Sequence, residues 1–95
     1  MSSKQIYQKE IEAKLEAFDA RIATMQARAS QANAEFKANY QEQLRILTER
    51  RETAQLKLGE LQQSSEAAWE TIKGGVESAF GELQTAFDKA VAQFQ

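Results

Sequence analysis

From Leu58 to Phe94 the apolar side chains return at intervals of three, four and four residues. The series is Leu58, Leu61, Trp69, Ile72, Val76, Phe80, Leu83, Phe87, Val91 and Phe94, with Ser65 holding the one polar place in it. A repeat of eleven, about 3.67 residues per turn, lies close to an unstrained α-helix and keeps the stripe on one face. Alternation with a period of two, which a half-buried strand would show, fails throughout. The last third of the chain is therefore an amphipathic helix, and its aromatic face needs a surface to lie on.

The rest of the composition points the same way. Proline is absent, only four glycines occur, and Ala, Glu, Gln, Lys, Arg and Leu dominate the 95 residues, as in long helices and coiled coils. The length allows one unit, a single helical coiled-coil domain over residues 1–95. There is no cysteine and no histidine. Disulfides and thiolate–metal sites are excluded, and the commonest general base and transition-metal ligand are missing. The carboxylates alternate with cations at helical intervals, as in Glu10/Lys14, Arg45/Glu49 and Lys73/Glu77. Such pairs support exposed helices. With no nucleophile–base pair visible, the reading is of no enzyme, no catalytic or metal-binding residue and no cofactor.

The net charge of −2 gives no basic field for nucleic acid. The balance is uneven, however. Residues 1–57 carry ten Lys/Arg against eight Asp/Glu, and residues 58–95 carry two Lys against six acids. Mild complementarity of this kind favours one half folding on the other. No stretch approaches the ~20 apolar residues of a membrane span, and the first residues lack the apolar core of a signal peptide, so a cytoplasmic location is expected.

In the N-terminal half, Ser2 or Ser3 can cap a first helix. Ile11, Leu15, Phe18, Ile22, Met25, Ala29, Ala32 and Phe36 then follow at spacings of four and three, a heptad that predicts a left-handed seam. Lys14, Arg21 and Arg28 fall on one flank of that seam and Glu12 and Asp19 on the other, the arrangement of a salt-bridged coiled-coil edge. From Met25 to Tyr40 the stripe thins to alanines, and Phe36–Tyr40–Leu44 inserts a stutter. Ser30 and Asn33 could cap a new helix there. Yet the stripe passes through in phase with no Gly or Pro, which predicts a continuous helix. Leu44, Leu47, Arg51, Ala54, Leu58 and Leu61 resume the heptad, with Arg51 on the apolar seam and in need of a carboxylate.

Gly59 can end a helix, and Ser64 or Ser65 can start another. Gly74–Gly75 reads as a soft spot inside a helix, because Ile72, Val76 and Phe80 keep their phase across it. The expected fold is all-α: an elongated antiparallel helical hairpin with a long helix over about 4–61, a turn over about 62–65 and a second helix over about 65–94. At ~1.5 Å per residue the long arm would span roughly 87 Å and the short arm roughly 45 Å. The alternative is a three-helix bundle with a second break near 30–33. In the hairpin, Arg51 would lie near Glu77 and Phe94 near residue 34. Ile11, Leu15, Phe18, Ile22 and Met25 would then remain as a bare stripe.

Three segments carry a family resemblance: the run around Ala13–Lys14–Leu15–Glu16–Ala17–Phe18, the run Arg50–Arg51–Glu52–Thr53–Ala54–Gln55–Leu56–Lys57–Leu58, and above all Ser-x-x-Ala-Trp-Glu-x-x-Lys-x-Gly-Val-Glu-x-Ala over residues 65–79. The chain resembles a group of small bacterial coiled-coil proteins, some described as stress-response proteins. The resemblance implies a bacterial, all-helical, non-enzymatic protein and brings no site residues with it.

The function expected is that of a structural or scaffolding protein acting by self-association. Its packing and association residues are Ile11, Leu15, Phe18, Ile22, Met25, Phe36, Leu44, Leu47, Leu58, Leu61, Trp69, Ile72, Val76, Phe80, Leu83, Phe87, Val91 and Phe94. The partner expected is a second copy, in a dimer or larger homo-oligomer, or another helical protein. The alternative is peripheral binding to a membrane surface through the C-terminal amphipathic helix. Against it, that helix's polar face carries Glu66, Glu70, Glu77, Glu82 and Asp88 but only Lys73 and Lys89, the wrong sign for anionic lipid.

Overall fold

The computed structural model describes residues 1–94 and is helical almost throughout. Helix α1 spans Ser3–Gln31, α2 Ala34–Gln63 and α3 Trp69–Gln93. Successive helices run antiparallel, so α1 and α3 point the same way, and the molecule measures 51 × 19 × 19 Å. Thirty residues of helix at ~1.5 Å each account for most of the long dimension.

The expected helix over 4–61 is therefore broken, at Ala32 and Asn33. Both residues are extended, with φ/ψ of −74°/152° and −70°/168°. The Asn33 side-chain oxygen accepts from Phe36 N at 3.2 Å, and Ala32 N donates to Ala29 O at 3.3 Å. Local preference alone does not make this break, since Ala27, Ala29, Ala32, Ala34 and Ala38 all favour helix. Packing decides it. Folding α1 back buries Ile11, Leu15, Phe18, Ile22, Met25 and Ala29, and large apolar side chains contribute ~1.5–3 kcal/mol each when fully buried. The few helical hydrogen bonds forgone at the break are worth only ~0.5–1.5 kcal/mol apiece. The stripe expected to stay bare is thus covered within the chain.

The second reversal occupies residues 64–68, longer than the turn expected over 62–65. Gly59 does not end α2, which runs on to Gln63. Ser65 opens a turn rather than α3 itself: its hydroxyl accepts from Ala68 N at 3.1 Å, and its carbonyl accepts from Ala68 N and Trp69 N. Regular α3 begins only at Trp69. Gly74 and Gly75 lie within α3 without interrupting it. At the start of the chain Ser2 is the cap, and it forms a full capping box with Gln5.

One hydrophobic core joins the three helices. Leu47, Leu61, Val76 and Leu83 have no exposed surface, and Phe87 is 1% exposed. Helix α2 packs closely against both neighbours, whereas α1 and α3 approach one another less closely. They meet through aromatic rings. Phe18 stacks on Phe87 at 5.1 Å between centroids and tilts against Phe80 at 6.3 Å, while Tyr7 tilts against Trp69 at 5.8 Å. At the far end Tyr40 of α2 stacks on Phe94 at 4.0 Å. Phe94 therefore meets Tyr40, six residues beyond its expected mate.

Candidate interaction site

A polar groove of about 790 Å³ runs along the α2–α3 seam, between Arg45 and Glu49 on one side and Glu82 and Lys89 on the other, and a more apolar one lies on the α1–α3 seam. Between α1 and α3 it forms a trough of about 540 Å³, floored by Ile11, Phe18 and Phe80. Lys14, Ala17 and Arg21 form its α1 wall, and Glu77, Gly81 and Gln84 its α3 wall. Tyr7 closes one end. The heptad on α1 places Lys14 and Arg21 a whole repeat apart on one flank, so both point at α3. The opposite flank serves α2: Asp19 accepts two hydrogen bonds from Arg51, at 2.8 and 3.1 Å, and Glu12 accepts a long one from Gln62 at 3.5 Å. Arg51 thus finds the carboxylate its seam position demands, but in Asp19 rather than Glu77. That hydrogen-bonded pairing holds the guanidinium further above its ordinary value, against a smaller opposing effect of burial.

Cations also lie over the aromatic rings. The Arg21 guanidinium sits 4.3 Å from the Phe87 centroid and 5.7 Å from that of Phe18. Lys73 Nζ lies 5.0 Å from the Tyr7 centroid and 5.9 Å from that of Trp69. At partly exposed sites such contacts are worth ~0.5–1 kcal/mol, and here they knit α1 to α3 where the backbones stand apart. The Tyr7 hydroxyl is buried without a hydrogen-bond partner among the described residues. Burial above all, then the charges of Glu77 and Glu10, raise its pKa. Glu77 thus acts on the phenol through its charge rather than through a well-formed hydrogen bond.

The residues expected to pack or associate separate into three groups. Thirteen are buried: Ile11, Leu15, Phe18, Ile22, Met25, Leu47, Leu58, Leu61, Trp69, Val76, Phe80, Leu83 and Phe87. Leu44, Ile72 and Phe94 are partly buried against the same core. Phe36 and Val91 are not packed, at 50% and 39% exposed. Val91 turns outward because α3 is covered on two sides. Its buried set includes Val76, Ala79, Leu83, Ala86 and Ala90, a heptad that parts from the eleven-residue stripe near the C-terminus. Tyr7, Ile46 and the alanines at 79, 86 and 90 were missed. Tyr7 could have been found, since it stands four residues before Ile11 in phase with the stripe. The alanines carry no such signal, because only a second neighbouring helix makes their side of α3 internal.

Among the described residues no helix is long and apolar enough to cross a membrane, and no group of acidic residues is arranged to hold a metal ion. In comparisons with known proteins no family model matches the chain, and neither a curated protein nor a solved structure matches it. The described residues form an all-α structure of three helices.

Proposed function

We propose that the chain is a non-enzymatic structural protein that acts by self-association through helix faces, and that the folded-back three-helix form is its building unit. The α1–α3 trough supports this reading. It is apolar along its floor, and walled by cations on one side and a carboxylate on the other. A two-fold axis lying along such a trough sets the Lys14 and Arg21 wall of each copy against the Glu77 wall of the other, making the surface self-complementary. Peripheral lipid binding has less support. Trp69 is only 8% exposed, and Phe80 and Phe87 lie in the core, so α3 would have to leave its neighbours before its aromatic face met a bilayer.

The test is charge reversal read by light scattering. Glu77→Arg makes both walls basic and should dissociate the assembly, and adding Arg21→Glu should restore it. Both side chains are surface residues, so circular dichroism should stay helical in every variant. A wild-type chain that is monomeric at micromolar concentration, or a mass unmoved by Glu77→Arg, removes the support for this reading.

A further inference from the structure

The α1–α2 reversal consists of two residues, neither of them Gly or Pro, and the described chain has no positive φ anywhere. Ala32 and Asn33 already have φ near helical values; only their ψ angles, 152° and 168°, differ from the roughly −42° of an α-helix. Rotating those two angles joins α1 and α2 into one helix over residues 3–63. The segment around them is rich in alanine, the strongest helix former.

What the straightened helix would present follows from the spacing of the buried residues. Ile22, Met25 and Ala29 of α1 lead to Ala32, Phe36, Tyr40, Leu44 and Leu47 in steps of three or four. The faces that α1 and α2 bury in the folded-back chain are therefore one continuous face of the joined helix. Straightening lifts α1 off α2 and α3, which stay packed on each other, and the surface that fits α1 is the one it has just left. A second copy supplies that surface: α1 of each chain can dock on α2 and α3 of the other. The register is set by Asp19 against Arg51, and its midpoint is residue 35. Phe36, whose ring is half exposed in the single chain, then lies beside the two-fold axis, where the two long helices cross. Alanines at 32, 34 and 38 let the crossing close.

We propose that two copies of this chain exchange α1, forming an elongated dimer with antiparallel joined helices and a complete three-helix core at each end. This goes beyond the trough reading above but rests on the same premise of self-association. Each end of the exchanged pair rebuilds an α1–α3 trough, so exchange and trough contacts can coexist. Short hinges that hold a helix bent are a recognised setting for such exchange.

Two substitutions push the hinge in opposite directions. Ala34→Pro suits the folded-back form, because position 34 is the first residue of α2 and Asn33 before it is already extended. In a joined helix it clashes with the preceding turn. Asn33→Ala removes the cap and favours joining. The readout is the distance within one chain between spin labels at Glu16→Cys and Glu52→Cys, both exposed sites, diluted with unlabelled chain, together with the solution mass. Across a joined helix these sites are about 54 Å apart, and across the folded-back pair about 20 Å. We expect Asn33→Ala to be dimeric with the long distance, and Ala34→Pro to lack that distance. A short distance in Asn33→Ala, whatever its mass, overturns the exchange. An assembly that keeps the short distance and is indifferent to Ala34→Pro is a trough assembly, so the two readings fail separately.

Discussion

The two places where the chain reverses do the same work by different means. Residues 64–68 are tied down from several directions. Ser64 and Ser65 bond locally, Lys4 Nζ donates to the carbonyls of Gln62 and Ser64, and Ser2 donates to Glu66. Lys4 thus neutralises the carbonyl end of α2 while fastening the start of α1 over the joint. Among the described residues, 32–33 have the Asn33 side-chain cap and two short-range backbone bonds, Ala32 N to Ala29 O and Lys37 N to Asn33 O, with no bond from a distant part of the chain and the Phe36 ring beside them half exposed. The first joint is held by what the distant helix faces bury; the second is also held by the residues that form it. Straightening the first joint gives up the packing of α1 but few bonds of the joint itself, whereas opening the second also breaks the bonds that tie residues 62–66 to Ser2 and Lys4.

The largest expected effect tests that contrast in side-chain packing. Leu61→Ala, fully buried beside the second joint, should cost ~2–5 kcal/mol. Phe36→Ala beside the first should change the stability of the folded-back single chain by no more than about 0.5 kcal/mol, as an unpacked surface site does. Urea unfolding of both variants decides it, and similar losses at the two sites would erase the distinction. Next in size, Lys4→Met should cost about 1 kcal/mol, the scale of a cation bonded at a helix C-terminus. The loss should appear as faster amide exchange over residues 61–69 than over 29–37. Equal protection changes at both joints would show that Lys4 does not fasten the second one.

The smallest effect concerns Tyr7, which packs on Trp69 just past the second joint. Its phenol is held above its ordinary value of about 10, mainly by burial, so the neutral form is the one the fold prefers. The sign follows: its contribution is intact below about pH 10 and is lost as pH rises through the raised pKa. Tyr7→Phe should leave neutral-pH stability unchanged or slightly higher, because it deletes a buried hydroxyl without a partner. It should also flatten the alkaline decline. Chemical unfolding on either side of pH 10 measures this, and parallel pH profiles for variant and wild type would contradict it.

The sequence carried most of the helical content and most of the core, because the stripes from Ile11 to Met25 and from Leu58 to Phe87 are periodic enough to define a face without knowing its neighbour. It also offered Ser2 or Ser3 as a first helix start, where Ser2 is the cap, and Ser64 or Ser65 as a later one, where α3 starts only at Trp69 after Ala68. The break at Ala32–Asn33 was legible only as an alternative. Asn33 offered a cap, but every other local signal, from the alanines to the phase of the stripe, favoured continuity. The force that bends the chain there comes from residues ten to twenty positions away. The partner of Arg51 went astray for the same reason, since a hairpin puts Glu77 within reach and only the fold-back of α1 presents Asp19. The trough was not visible at all: it depends on α1 and α3 being neighbours that do not quite close.

The two flanks of the α1 stripe do more than add ion pairs. Three helices joined in sequence can be arranged around their common axis with either hand, and apolar stripes alone are nearly indifferent to which. Here Glu12 and Asp19 look toward α2, and Lys14 and Arg21 toward α3. In the mirror arrangement Asp19 would face the acidic third of the chain, with its two lysines against six carboxylates, and would lose Arg51. The charges beside the seam therefore act as a chirality label, selecting one of two topological enantiomers that the core would otherwise accept almost equally.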